Sequence, residues 1–289
     1  MEGLIPKTLK EALDALSKDK YLPVAGGTDL MVRYKRWKNL APCFPYPPIF
    51  IAHLSELTGI EKDGNEIVIK SATLLSEIEK SPLIPSILKK AVSCMAAPGI
   101  RNMATIGGNI VNSSPAGDTL PPLYVLDAKV VLLSRNERRC LYIYDFITGP
   151  GKNQRRDDEL LYEIRFHVPD YTHEMYRKVG TRKANALSKL SVSAIASVIE
   201  GKIEDFRISF GAVAPTPVRV KDIEDKVKSK HIFELDEGFI NGIVNEYSLW
   251  IKPIDDQRST SLYRKCVSLR LLKEFLNRIK NGSYLEDKE

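Results

Sequence analysis

The stretch Ala104-Thr105-Ile106-Gly107-Gly108-Asn109-Ile110-Val111-Asn112-Ser113-Ser114-Pro115-Ala116-Gly117-Asp118 gathers small and polar residues between two apolar segments. Adjacent glycines leave main-chain N–H groups unshielded. The hydroxyls and amides of Thr105, Asn109, Asn112, Ser113 and Ser114 add donors within a few residues. A diphosphate, rich in acceptor oxygens, needs such a set. A shorter run, Val24-Ala25-Gly26-Gly27-Thr28-Asp29-Leu30, has the same character about eighty residues earlier. One glycine pair alone reads as an ordinary tight turn. Two similar runs favour a shared ligand.

Other chemistries lack their residues. Neither run matches G-x-G-x-x-G, and no G-x-x-x-x-G-K-[S/T], H-E-x-x-H or G-x-S-x-G occurs. His53, His167, His173 and His231 stand far apart and read as surface or strand-packing residues. Cys43, Cys94, Cys140 and Cys266 form no C-x-x-C pair, which argues against an iron-sulfur cluster or structural zinc held by this chain alone. All four read as reduced, packed thiols. The 43 basic residues are interleaved with 37 acidic ones, so Arg135 to Arg139 and Arg155-Arg156 read as solvated loops or partner contacts, not a nucleic-acid footprint. What remains is a site with many donors and few titratable groups, suited to a cofactor that brings its own reactivity. A flavin dinucleotide fits, with its diphosphate, its ribityl hydroxyls and a ring that needs an apolar wall.

The elements that must position these runs follow from periodicity. Thr8 and Glu11 form a capping-box pattern before a helix with Leu9, Ala12, Leu13 and Leu16 on one face. Tyr21 to Ala25 reads as a strand entering the first glycine pair, and Leu30, Met31, Tyr34 and Trp37 as a helical face after it. Strands are predicted at 49–52, 66–70, 130–133, 140–144 and 160–168, and helices at 74–79, 84–93 and 120–126. This is an α+β region with mixed strands and no regular βαβ rhythm. Past a change of character at Pro169 to Thr172, strands at 191–200 and 205–214 joined by Glu200-Gly201-Lys202, with helices at 222–228, 238–247 and 262–279, predict a C-terminal α+β unit. The tail from Asn281 to Glu289 is polar. A length of 289 residues allows two or three compact units. No run spans a bilayer and Met1 to Lys10 lacks a secretory core, so cytoplasmic localisation is expected.

The chain resembles the FAD-binding subunit of molybdenum hydroxylases, of the xanthine dehydrogenase and carbon monoxide dehydrogenase medium-subunit type. The resemblance rests on VAGGTDL at Val24 to Leu30, Ile100-Arg101-Asn102, Thr105-Ile106-Gly107-Gly108-Asn109, Ser114-Pro115 and Asp118. It continues through Leu160-Leu161, Tyr176-Arg177-Lys178 with Arg182, and Tyr263-Arg264. It implies two FAD-binding subdomains, residues 1–55 and 56–175, of the vanillyl-alcohol-oxidase (PCMH-like) class, and a C-terminal domain at 176–289. It assigns the FAD diphosphate to Val24, Ala25, Gly26, Gly27, Thr28, Asp29 and Leu30 and to Thr105, Ile106, Gly107, Gly108 and Asn109. Asp118 and Leu161 are implied FAD contacts, and Lys178 is placed near the isoalloxazine.

The implied role is an electron-transfer subunit. Electrons would come from [2Fe-2S] clusters on a small partner subunit, with molybdopterin on a large one, and leave through FAD to NAD or another acceptor. Neither glycine run contains a histidine, so FAD is expected to be non-covalent, and the scattered cysteines speak against an inserted cluster segment. The alternative is a free-standing flavin oxidoreductase of the same fold class, which would need a substrate-facing base.

Overall fold

Thr8 starts the first helix: its hydroxyl accepts the Glu11 N–H at 3.2 Å, and α1 (Leu9–Leu16) turns Ala12, Leu13 and Leu16 inward. The Glu11 carboxylate reaches one residue further back than a capping box requires, accepting the Lys7 N–H at 2.7 Å. The computed structural model describes residues 2–37, 40–182 and 185–282; most of the predicted polar tail at Asn281 to Glu289 lies outside them. The chain forms two compact units. The first takes the chain up to Pro85, Ala96–Ser114 and Asp127–Val168; the second takes Ser86–Met95, Pro115–Leu126 and the chain from Pro169 on.

In the first unit, β1 (Leu22–Val24) pairs in parallel with β2 (Pro48–Phe50). The glycine turn leads directly into α2 (Leu30–Arg33), a single turn that buries no side chain. The predicted helical face does not run on to Trp37, which is 86% exposed. Tyr34 instead closes the helix, and its ring meets Phe44 of the proline-rich loop edge-on at 5.7 Å.

A five-stranded antiparallel sheet follows in the order β3 (Ile60–Asp63), β4 (Glu66–Lys70), β9 (Leu160–His167), β5 (Lys129–Leu133), β6 (Arg138–Tyr142). The sequence gives little sign of β3 because Glu61, Lys62 and Asp63 form a charged edge. The strand expected at 140–144 covers Arg138–Tyr142, then turns into α8 (Ile143–Phe146), where Ile143 and Phe146 lie three apart and are both buried. The hairpin of β7 (Ile147–Gly149) and β8 (Lys152–Asn153) completes this part, beside α3 (Leu75–Lys80), α5 (Pro98–Arg101) and α6 (Ile106–Asn112).

The second unit holds α4 (Ser86–Ser93), α7 (Leu120–Val125) and a meander of β10 (His173–Val179), β11 (Leu190–Ile199) and β12 (Lys202–Gly211). Glu200 and Gly201 both have positive φ, 50° and 78°, as the tight turn between β11 and β12 requires. That turn starts β12 three residues earlier than expected. One face of this sheet carries Val192, Ala194, Phe206, Ile208 and Phe210. It packs against α9 (Lys221–Val227), α10 (Glu237–Ser248) and α11 (Ser261–Lys280) through Ile223, Tyr247, Leu272, Phe275 and Leu276. The opposite face places Tyr176, Lys178, Ser191, Ser193 and Ser209 together by strand alternation.

One expectation is corrected here. Cys43, Cys140 and Cys266 are exposed and Cys94 is half-buried, so the thiols are free but not packed. In the arginine clusters Arg135, Arg138 and Arg156 keep more than half of their side chains exposed, while Arg139 meets the buried Glu159 at 2.6 Å and Arg155 donates to the Glu159 carbonyl at 2.8 Å. Among the described residues no helix is long and apolar enough to cross a membrane.

Candidate functional site

Gly26 and Gly27 are glycines for different reasons. A Cβ on Gly26 would stand 1.9 Å from the Met103 carbonyl oxygen, so only glycine lets the turn lie against the backbone entering the second run. Gly27 has φ of 69°, the left-handed region that side chains resist. Among the described residues, the N–H groups of Gly26, Gly27, Thr28 and Asp29 meet no protein acceptor. The Asp29 carboxylate is held by Arg33 at 2.9 Å, and Arg33 also donates to the Asn112 side chain. Consecutive unpaired N–H donors around a positive-φ glycine are the backbone feature from which anion-binding nests are built.

The second run departs from the donor-rich turn expected of it. It is a helix, α6, capped by Thr105, whose hydroxyl accepts the Gly108 N–H at 3.1 Å. The Ile106 N–H donates to the Thr73 carbonyl at 3.1 Å, Gly107 to Ser71 at 2.8 Å and Asn109 to Thr105 at 3.0 Å. Its amides are therefore spent. A Cβ on Gly107 would lie 2.6 Å from Ser71, so this glycine sets the helix against the end of β4. Gly108 is on the exposed side. Ser113 closes the helix at φ of 48°; its hydroxyl bonds to the Ile110 carbonyl and accepts from Asn153 of β8 at 3.1 Å. The structure thus brings the two glycine runs together within one unit, through Gly26 against Met103 and Arg33 on Asn112.

The remaining predicted residues fall elsewhere. Leu161 is 4% exposed in β9, opposite Leu132; Tyr162 beside it bulges from the pairing. Arg101 of α5 pairs with Glu79 at 2.9 Å. Arg264 is 2% exposed, bonds to Asp256 and donates to the Ala212 carbonyl, so the Tyr263-Arg264 pair includes a buried anchor for α11.

Asp118 and Lys178 meet in the second unit. Lys178 Nζ lies 2.7 Å from Asp118 Oδ2 and donates to the Cys94 carbonyl at 2.8 Å. The Ser188 hydroxyl donates to Asp118 Oδ1. The Tyr176 hydroxyl is buried and makes no hydrogen bond among the described residues. Burial pushes the Asp118 carboxyl above its ordinary range, against the pull of Lys178 and Ser188. Tyr176 is likewise raised by burial, and then by the adjacent Asp118. The sequence marked Tyr176 and Lys178, two apart on one strand face. Ser188 and Cys94 gave no local signal, since tertiary folding alone brings them to Asp118.

With this geometry in place, likeness to known proteins becomes informative. The family described as the FAD binding domain in molybdopterin dehydrogenase matches residues 1–170, and the CO dehydrogenase flavoprotein C-terminal domain matches residues 175–279. The chain is 34% identical over 241 residues to the nicotinate dehydrogenase FAD-subunit of Eubacterium barkeri, covering 78% of each. It is 29% identical over 276 residues to the glyceraldehyde dehydrogenase medium chain of Sulfolobus acidocaldarius, covering 93% of this chain and 95% of that one. A crystal structure of Cu,Mo-CO dehydrogenase in its cyanide-inactivated form superposes with a TM-score of 0.87 at 25% identity, over 97% of this chain and 98% of the other. The fold is therefore the PCMH-like FAD-binding fold with its C-terminal domain. The chain belongs to the family of FAD-binding medium subunits of molybdopterin dehydrogenases.

Proposed function

We propose that this chain is the FAD-carrying electron-transfer subunit of a heteromeric molybdenum hydroxylase, with molybdopterin and [2Fe-2S] clusters on a large and a small partner subunit. The observation that carries the reading is the turn Gly26–Asp29, whose N–H groups, free among the described residues, and glycine-only approach fit a diphosphate. Val24, Ala25 and Leu30 flank those donors. Thr105, Ile106, Gly107, Gly108 and Asn109 would contribute less as amide donors than as the close wall against which the turn is set, with Gly108 leaving that wall free of a side chain. Lys178 would offer a cation to the flavin ring, and Leu161 an apolar surface. Bound FAD would supply exchange of single electrons from a partner's clusters against paired electrons for NAD or another acceptor.

The absence of histidine from both runs supports dissociable rather than covalent FAD. Purification through a tag on this chain tests the assignment. Recovery with a large molybdopterin-binding chain and a small [2Fe-2S] chain is expected. Turnover of a small organic substrate by this chain alone would contradict it and favour the free-standing oxidoreductase.

A further inference from the structure

We propose that the second unit holds an ordered internal water, shared by the hydroxyls of Ser191, Ser193 and Ser209 where α7 covers the sheet. All three serines are fully buried, and among the described residues none of the three hydroxyls meets a hydrogen-bond partner. They stand close together. Ser193 of β11 and Ser209 of β12 are register partners, which puts their Cβ atoms about 4.5–5.5 Å apart, and Ser191 lies about 6.6 Å along β11 on the same face. The hydroxyls do not bond to one another, yet a molecule the size of water placed among them can reach all three.

The helix above them has little to offer. α7 lies on this face: a Cβ on Gly211, the register partner of Ser191, would stand 2.5 Å from Ser191 Oγ and 2.9 Å from Pro121 Cγ. Pro121 and Pro122 have no N–H. The Leu120, Leu123 and Leu126 N–H groups go to the carbonyls of Gly117, Thr119 and Pro122, while the Tyr124 and Val125 carbonyls accept from Arg219 and Arg207. β11 is the central strand, its backbone paired on both sides. Leaving each hydroxyl dry costs on the order of tenfold in the folding equilibrium, about a thousandfold for three, whereas immobilising one water costs at most about thirtyfold. Hydration therefore wins, and an internal water makes about three hydrogen bonds, which these hydroxyls supply.

Urea unfolding of the full chain, with a crystal structure that resolves ordered water, tests this. Ser193→Ala takes one partner from the water and is expected to raise the unfolding equilibrium constant about fivefold, lowering the midpoint. Ser209→Ala is expected to do the same in the native chain and to add less than about twofold in the Ser193→Ala background, because both act on one water. Dry hydroxyls predict the opposite sign: removing a buried, unmet hydroxyl relieves its desolvation and leaves the midpoint unchanged or raised. That result would overturn the proposal, as would fully additive losses in the double variant. In the crystal, a water within hydrogen-bond distance of at least two of the three hydroxyls is expected; no water among them would overturn the proposal whatever the variants do. Neither measurement depends on bound flavin.

Discussion

Gly26 sits so close to Met103 that a Cβ on it would stand 1.9 Å from the carbonyl oxygen. That approach fastens the first glycine turn to the segment leading into α6, and among the described residues the turn's N–H groups meet no protein acceptor. Gly26→Ala must displace backbone, not a flexible side-chain end. It is expected to lower the unfolding free energy by about 1–3 kcal/mol, the scale of overpacking, and to reduce bound flavin. Gly27→Ala meets only side-chain carbons, Met31 Cγ at 3.3 Å and Val24 Cγ1 at 3.8 Å, so its cost is the left-handed φ, about 1 kcal/mol. Denaturant unfolding with flavin content measured on the same samples separates the two effects.

Thr105 ties the start of α6 through its hydroxyl on the Gly108 N–H. Thr105→Ala is expected to cost about 1 kcal/mol, and Thr105→Ser to restore nearly all of it. Equal midpoints in urea for the alanine and serine variants would remove the cap from the account.

Asp256 is held well below the ordinary aspartate range, first by hydrogen bonds from Arg264 and then by those from Arg258. A lowered folded-state value means that the unfolded chain binds the proton more readily. The pair's stabilisation is therefore full above the unfolded-state value, about 3.9, and is lost as pH falls through the folded-state value. Asp256→Ala strands the buried Arg264. Because Asp256 itself is partly exposed, the cost at pH 7 is discounted to about 2–3 kcal/mol. The difference between native and variant stability should shrink between pH 4 and pH 2 in thermal unfolding. A difference independent of pH would show that the carboxylate charge is not what holds Arg264.

Much of the fold was legible because burial imposes a period. The strand at Glu66–Lys70, the two hairpin strands of the second unit and α11 follow from alternating or helical apolar spacing. β10 was harder to read, since it buries Glu174 and Tyr176 on a polar face and the sequence at His173–Val179 shows no apolar rhythm. The glycine runs were legible as places of close backbone approach, but not what approaches. Only the folded chain shows that Gly107 meets Ser71, that α6 consumes its own amides, and that the free donors belong to the earlier turn. Ser188 lay outside any motif because its partner, Asp118, stands seventy positions away in the chain.

The most direct measurement is the flavin content of the purified chain. After acid precipitation, the supernatant should carry a flavin absorbance spectrum equivalent to about one FAD per chain, as dissociable binding at a single diphosphate site requires. A colourless protein that takes up no added FAD would contradict the account at its centre.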